Sequence, residues 1–183
     1  MEAKDHSSAL RYLYELIEKD KRHSISEQLI RNLHSLVVLD TDKQWAGKYR
    51  NSNVIIGGAD HAPPDALHVP QEMHKLVDWV KENKKKLHII ELSSLFHHKL
   101  VHIHPFFDGN GRTSRIMMNL LLMQNGFPLV IILKNDRKKY YDVLEKADTG
   151  NISPFVNFIA QGVERSLSIY LKTLKPSGKK TER

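Results

Sequence analysis

The sequence predicts an all-α fold, a helical domain of about seven or eight helices with one small β-hairpin. Apolar residues recur at the three- and four-residue spacing of amphipathic helices through most of the chain. Capping residues and prolines mark where these helices begin and end. Only two short runs have the β-branched composition of strands, and the chain shows no internal repeat. We therefore expect one domain over residues 1–174, followed by a disordered basic tail over residues 175–183.

Helical signals follow one another along the chain. The second helix should begin after Ser26, which can cap its first turn, and Pro70 should open the third. Pro105 must end the fourth helix, because proline lacks a backbone donor and disfavours helical geometry in the residue before it. Asn125-Gly126 should end the fifth. The predicted helices lie near residues 10–17, 27–36, 70–80, 89–103, 112–124, 137–147 and 154–172.

The two β-like runs are residues 53–58, Asn-Val-Ile-Ile-Gly-Gly, and residues 129–133, Leu-Val-Ile-Ile-Leu. Two glycines end the first run, and Pro63-Pro64 follows shortly after it. This punctuation is typical of an exposed hairpin or an edge strand. We expect these runs to form the small β-element of an otherwise helical domain.

Composition limits the classes of function. The chain has 183 residues, no cysteine and a net charge of +7. Disulfides and thiolate chemistry are therefore excluded. The tail holds four basic residues and one acidic residue, which accounts for three of the excess charges. With no nucleic-acid-binding motif, no apolar run of membrane-spanning length and no signal peptide, we expect a cytoplasmic protein that binds neither nucleic acid nor membrane.

Residues 104–115 are the most informative stretch, and they read His-Pro-Phe-Phe-Asp-Gly-Asn-Gly-Arg-Thr-Ser-Arg. The apolar run that follows them is typical of a buried central helix. Arg112 and Arg115 lie in its first turn on one face. Cations there oppose the helix macrodipole, which favours anions at that end. A bound polyphosphate, held by backbone N–H groups and both guanidiniums, is the simplest compensation.

The loop also carries groups for chemistry on a phosphate. His104 is neutral near pH 7 and can accept a proton. Asp108 is a hard oxygen ligand of the kind that Mg²⁺ prefers. Gly109 and Gly111 allow the backbone to approach a ligand closely. A base, a metal ligand, free amides and arginines are the parts that transfer of a phosphoryl-type group requires.

Residues 104–115 resemble the signature of the Fic (Fic/Doc) family, HPFx[DE]GNGRxxR, at every defined position. The resemblance extends from about residue 9 to residue 170, including Gly47-Lys-Tyr-Arg50 and residues 138–145. Members of this family are helical and transfer AMP from ATP to a hydroxyl side chain of a target protein, releasing pyrophosphate. The resemblance therefore implies a protein adenylyltransferase with ATP as co-substrate, Mg²⁺ as cofactor, and a target protein with an exposed Ser, Thr or Tyr hydroxyl.

The resemblance also implies the role of each site residue. His104 would be the base that deprotonates the target hydroxyl, and Asp108 would hold Mg²⁺. Arg112 would brace the loop and the phosphates, and Arg115 would contact the γ-phosphate. Phe106 would pack inward and anchor the loop. The remaining residues expected at the nucleotide are Phe107, Gly109, Asn110, Gly111, Tyr140, Tyr141 and Asp148, of which the last three would line the base and ribose pocket.

Residues 53–56 are similar to the flap of the family, which pairs with an extended segment of the target. Strand addition of this kind uses main-chain hydrogen bonds and so requires little sequence preference. The residues of the expected flap are Asn53, Val54, Ile55 and Ile56. An ordinary edge strand is the alternative reading.

At position 148 this chain has Asp, whereas several relatives have Asn. A carboxylate accepts hydrogen bonds from the nucleotide base but cannot donate them.

Many Fic proteins carry an inhibitory helix of the form [ST]xxxE[GN], whose glutamate pairs with the second arginine of the signature. No Ser or Thr in this sequence has Glu four residues after it. The chain resembles the subclass in which that helix lies N-terminal to the catalytic core. We therefore expect Arg115 to be available for the γ-phosphate.

Two other functions remain open at this level. A metal-dependent hydrolase is suggested by the crowding of His97, His98, His102, His104 and Asp108, because His98 and His102 have the spacing of a zinc-binding pair on a helix. A nucleotide-binding interaction module without transfer is the second.

The apolar stripe of the first helix comprises Leu10, Leu13, Tyr14 and Ile17. It either caps the core or serves a homodimer contact.

Overall fold

The computed structural model describes residues 11–15, 17–18, 24–58 and 60–174. Within these residues the fold is all-α, as predicted, and residues 11–15 and 17–18 are helical. Three short 3₁₀ turns join the longer helices, and the described ranges contain no β-strand. The longer helices are α1 (Glu27–Val37), α2 (Val69–Asn83), α3 (Ile89–Ile103), α4 (Asn110–Gln124), α5 (Arg137–Asp148) and α6 (Ser153–Leu174).

Helix α4 lies at the centre of the fold, where it packs mainly along α3. Eleven of its fifteen residues are buried, so neighbours surround it on nearly every side. Met117 and Leu120 join a core with α1, α2 and α3, whereas Met118 and Leu122 join a second core with α5 and α6. The middle of α4 is therefore held from both halves of the molecule.

Local signals fix most helix boundaries where the sequence predicts them. The Ser26 hydroxyl accepts a hydrogen bond from the Leu29 N–H at 3.2 Å and caps α1. Pro70 lies in the first turn of α2. Helix α3 ends at Ile103, just before His104-Pro105, and α4 ends before Asn125-Gly126. None of the described helices, including the 22-residue α6, is long and apolar enough to span a bilayer.

The apolar stripe near the N-terminus contributes to the first core. Leu13 is fully buried there and Ile17 packs against it, while Tyr14 is 43% exposed. The stripe thus caps the core, which is one of its two predicted roles. Leu10 and the predicted tail, residues 175–183, lie outside the described residues.

The β-elements predicted at residues 53–58 and 129–133 do not form strands, because neither run finds a partner strand. The Asn53 side chain instead bonds to the Asp65 carboxylate at 3.0 Å and to the Ala66 N–H at 2.8 Å. In the second run, the Asn119 side chain of α4 takes the place of a neighbouring strand. It accepts from the Val130 N–H at 2.7 Å and donates to the Val130 carbonyl at 3.1 Å.

Candidate active site at the start of the central helix

The loop between α3 and α4 is built on two left-handed residues. His104 has φ 49° and ψ 59°, and in the described chain it is the one non-glycine residue with positive φ. Gly109, at φ 77°, precedes the first residue of α4. Non-glycine residues rarely adopt this conformation, and it is typical of functional sites when surrounding contacts enforce it. These two residues reverse the chain so that the end of α3 and the start of α4 meet.

His34 of α1 supports this loop from below. Its Nδ1 accepts a hydrogen bond from the Gly47 N–H at 3.0 Å, so its Nε2 is the nitrogen that donates to the Asp108 carbonyl, at 3.0 Å. Its ring stacks on Phe106, which is fully buried as expected. Burial lowers the pKa of His34 to about 4, so the ring is neutral at physiological pH.

Asn110 closes the loop from inside. Its side-chain oxygen accepts from the Phe106 N–H at 2.9 Å, and its amide donates to the Phe106 carbonyl at 2.8 Å. Only 3% of the residue is exposed. The side chain therefore acts as a brace, and only the main chain of Asn110 can take part in binding an anion.

Arg50 supports the loop from the opposite side. It is 2% exposed, its Nε donates to the His104 carbonyl at 2.8 Å, and its backbone N–H donates to the Pro105 carbonyl at 2.9 Å. Its Nη1 and Nη2 donate to the Ser52 and Pro64 carbonyls. A buried guanidinium thus ties the chain on either side of the 53–58 segment, at Ser52 and Pro64, to the residue with the predicted catalytic role.

Sequence reasoning missed the roles of His34 and Arg50. The sequence around His34 does not indicate its role, because its partners Phe106 and Asp108 are more than seventy positions away along the chain. Arg50 lay in a segment that supported the family resemblance, but nothing in its spacing pointed to His104.

His104 is arranged to act as a base. Its Nδ1 is buried, so Nε2 is the ring nitrogen that can reach a substrate. Burial lowers the pKa of His104 below its usual value, and the nearby Val101 backbone only partly offsets this effect. The neutral imidazole that a general base requires is therefore the stable form near pH 7.

Asp108 and Arg112 form an ion pair within the loop. Arg112 Nη2 lies 2.8 Å from Asp108 Oδ2, and its Nη1 donates to the Val37 carbonyl at 3.1 Å. The other carboxylate oxygen accepts from the Gly109 N–H at 2.6 Å. The Asp108 side chain is nevertheless 60% exposed, whereas that of Arg112 is 10% exposed. Arg112 therefore braces the loop, as expected, and presents Asp108 to solvent.

The start of α4 has the features of an anion site. No side chain caps it, and Gly111, the second residue of the helix, is partly exposed. Arg115 lies over this turn, because a side chain at Gly111 would meet Arg115 Nη1 at 3.2 Å. Beside Arg115 are His97 and Tyr140, which are both buried. Phe107 packs edge-on against Trp45 at 4.5 Å and is half-buried at the side of the loop.

A cavity of about 470 Å³ lies beside the end of α3. Ile56, Tyr141 and Asp148 are among the residues that line it, and the last two are residues that the family resemblance implies at the base and ribose. Tyr140 is 3% exposed and lies behind Tyr141, where its hydroxyl bonds to His97 Nε2 at 3.1 Å. Burial raises the pKa of Tyr140 to about 12, so it remains a neutral support for the cavity wall.

The predicted flap has no regular secondary structure and is largely exposed. Ile55 is 97% exposed, Val54 is half-buried, and Ile56 turns toward the cavity. Asn53 anchors the segment through the two hydrogen bonds described above. Of the four predicted flap residues, Ile56 lines the cavity, and Arg50 binds the chain on either side of them through the Ser52 and Pro64 carbonyls.

The histidines that suggested a hydrolase separate into different environments. His97 is fully buried against Tyr140 and Phe155. Across the described ranges, the one cluster of three or more potential metal ligands contains His98, His102 and Asp148, without His104 or Asp108. The five groups therefore do not converge on one hydrolytic metal centre.

Comparison with known proteins identifies the family. The sequence profile of the Fic/DOC family matches residues 24–122, which include the α3–α4 loop. The chain is 46% identical over 143 residues to the protein adenylyltransferase Fic of Drosophila willistoni, and 41% identical over 174 residues to that of Nematostella vectensis. These matches cover 78% and 93% of this chain but 28% and 40% of the two relatives, so the chain spans less than half of their length.

The fold agrees with this assignment. A solved structure of C. elegans Fic-1 superposes with a TM-score of 0.84 at 34% identity, covering 97% of this chain and 52% of that one. A Fic-domain signalling protein from Bacteroides thetaiotaomicron has the same TM-score at 28% identity, covering 93% of this chain and 71% of that one. With more than half of the sequence matched by the family profile, and the His104–Arg115 signature within the match, the chain belongs to the Fic/DOC family.

Proposed function

We propose that this protein transfers AMP from ATP to a hydroxyl side chain of a target protein. The observation that carries the proposal is the α3–α4 loop, where a neutral His104, an exposed Asp108 and an uncapped helix start overlaid by Arg115 share one short turn. The adenylyltransferase names of the relatives support the same activity.

The loop geometry suggests how the nucleotide is held. The triphosphate would lie against the N–H groups at the start of α4, where the helix dipole favours negative charge. Arg115 would contact the terminal phosphate, while the base and ribose would enter the cavity beside Tyr141 and Asp148. With the nucleotide in this position, the α-phosphate would lie next to the loop and His104 would lie beside it.

Transfer then requires one proton movement and one displacement. The target hydroxyl loses its proton to His104 Nε2, its oxygen bonds to the α-phosphorus, and the bond from that phosphorus to the oxygen of the β-phosphate breaks. Pyrophosphate leaves. A positioned general base contributes about 10²–10⁴-fold to such a step. The loop braces around His104 keep the imidazole in place for it.

The residues present also fit a Mg²⁺ ion at Asp108. Each of its carboxylate oxygens makes one hydrogen bond within the loop, and each retains a further lone pair. Mg²⁺ is commonly held by one or two carboxylates together with substrate phosphates. When bound, the ion would neutralise charge on the phosphates.

The exposed segment 53–56 is the proposed docking site for the target. It is not part of any helix or strand, and its Ile55 side chain is almost fully exposed. A target segment could add to it by main-chain hydrogen bonds, which would bring a hydroxyl toward His104. Which target and which hydroxyl are modified depends on contacts beyond this segment.

Labelling with radioactive ATP tests the proposal. The purified chain is incubated with Mg²⁺ and either α-labelled or γ-labelled ATP, and a parallel sample with α-labelled ATP also contains a cell lysate. We expect protein labelling, including self-labelling without an activating substitution, from α-labelled ATP only. His104→Ala should abolish it while leaving nucleotide binding nearly intact. Labelling from γ-labelled ATP, or phosphate release without any labelling, would contradict AMP transfer.

A further inference from the structure

A cluster of two histidines and one aspartate lies on the wall of the cavity, away from the catalytic loop residues. His98 and His102 are four residues apart on α3 and so share one face. Asp148, the last residue of α5, directs its Oδ1 between them. This oxygen lies 2.8 Å from His98 Nε2 and 3.2 Å from His102 Nδ1. Three potential ligand atoms therefore lie within 4.8 Å of one another.

We propose that His98, His102 and Asp148 bind a transition-metal ion of the Zn²⁺ class. Zinc holds nitrogen and oxygen ligands at about 2.0–2.1 Å, so two ligands at tetrahedral positions are about 3.3 Å apart. The observed separations from Asp148 Oδ1 are slightly shorter than this. A small outward rotation of the side chains would thus admit the ion without a change in the backbone.

The ligand types select the metal. Imidazole nitrogens suit Zn²⁺, Co²⁺, Ni²⁺ and Cu²⁺, whereas Mg²⁺ prefers oxygen ligands and water. The cluster is therefore chemically distinct from Asp108, which offers oxygen alone. Three protein ligands leave one tetrahedral position for water or another small ligand, as in zinc sites that are open to solvent.

Neighbouring residues hold the ligands in place before any ion arrives. The His61 ring stacks on that of His102 with centroids 3.5 Å apart, and His61 Nε2 donates to the His102 carbonyl at 2.8 Å. The His98 side chain is only 13% exposed, so its ring is confined by packing. Oriented ligands lose little freedom on binding, and such supporting contacts commonly strengthen metal sites.

The cavity gives an ion access to the cluster. His102 and Asp148 both line it, and their side chains are 41% and 26% exposed. An ion can therefore reach the ligands from solvent with the chain fully folded. This inference does not depend on AMP transfer, since it concerns only these three side chains and an ion.

The test is a titration of the untagged, metal-free chain with Co²⁺, followed by visible absorption, and then displacement by Zn²⁺. We expect one Co²⁺ per chain, with the intense absorption of a four-coordinate site, and full displacement by Zn²⁺. His98→Ala and Asp148→Asn should each weaken binding at least 10-fold, in line with the loss of one ligand. Asp148→Asn preserves size and serves as the second variant if His98→Ala does not fold.

His74→Ala is the matched control. His74 is also a histidine beside two carboxylates, but its Nδ1 faces Glu27 and its Nε2 faces Asp78, so the contacts lie on opposite sides of the ring. Its loss should leave Co²⁺ binding unchanged. The proposal is overturned if the chain shows no saturable Co²⁺ binding, or if the folded cluster variants bind as tightly as the unmodified chain.

Discussion

The imidazole of His34 lies face to face with the ring of Phe106, with centroids 3.6 Å apart and planes 4° apart. One ring belongs to α1 and the other to the loop that carries His104. The same imidazole bonds to the Asp108 carbonyl on one edge and to the Gly47 N–H on the other. Helix α1 therefore holds the shape of the site although it contributes no group that would touch a substrate.

The burial of the His34 imidazole predicts that the stability of the folded chain depends on pH. The pKa of His34 is about 4 in the folded chain and ordinarily near 6.5. Between these values the unfolded chain binds the proton more readily, so stability is present above pH 6.5 and is lost as pH falls toward 4. A shift of this size corresponds to roughly 3 kcal/mol. Urea unfolding across this range measures the loss.

His34→Gln is the control for that experiment, because glutamine does not titrate. We expect the variant to be less stable than the unmodified chain at neutral pH, through loss of the stacked ring. Its stability should fall less steeply below pH 6.5. Identical slopes for the two proteins would show that His34 is not the group responsible.

Gly109→Ala should be more harmful than Gly126→Ala. Both glycines have positive φ, 77° and 80°, so alanine is strained at either position by about 1–2 kcal/mol. A side chain at Gly109 would also lie 2.8 Å from Val38 Cγ1, whereas nothing lies within 4 Å at Gly126. We expect Gly109→Ala to lower the unfolding free energy more than Gly126→Ala does. Only Gly109→Ala should also weaken ATP binding. Equal losses with unchanged binding would contradict the packing argument.

Arg115→Ala should weaken triphosphate binding. Loss of a charge-assisted hydrogen bond costs roughly 1.5–3 kcal/mol, or roughly 10- to 150-fold in affinity. Isothermal titration with ATP and Mg²⁺ measures the change. Arg137→Ala removes the same charge from the exposed start of α5 and should have little effect. If both variants bind ATP normally, Arg115 does not contact the phosphates.

Transfer should persist at moderately acidic pH. Because burial lowers the pKa of His104, the neutral base remains available below pH 6.5, the ordinary value. We expect the rate of labelling to decline with an apparent midpoint under 6.5 as the pH is lowered. Nucleotide occupancy is measured at each pH, so that weaker binding is not mistaken for a protonated base. A midpoint above 6.5 would contradict the buried setting of His104.

The local sequence was sufficient to predict the helices and much of the loop between α3 and α4. Ser26 caps α1 through a bond to a residue three positions away, and Pro105 stops α3 by its own covalent geometry. His104, Asp108, Arg112 and Arg115 could be recognised because they are adjacent in the chain. Such features depend on neighbours within one or two turns, which a sequence displays directly.

The errors concern features that require a distant partner. The β-branched run around Val130 does not form the predicted strand, and the Asn119 side chain bonds to the main chain of Val130 there instead. The support of the loop by His34 and Arg50 was missed for the same reason. Asp148 was expected at the nucleotide base, and it also lies between two histidines that are almost fifty positions earlier.

By itself, the sequence determined the helical class, the order of the helices and the chemical groups of the candidate active-site turn, since each of these rests on spacing along the chain. Only the tertiary structure decided which nitrogen of His104 is buried, which side chains brace its loop, and which histidines meet Asp148. The physical reason is that burial, stacking and hydrogen bonds between remote residues arise only when the helices pack against one another.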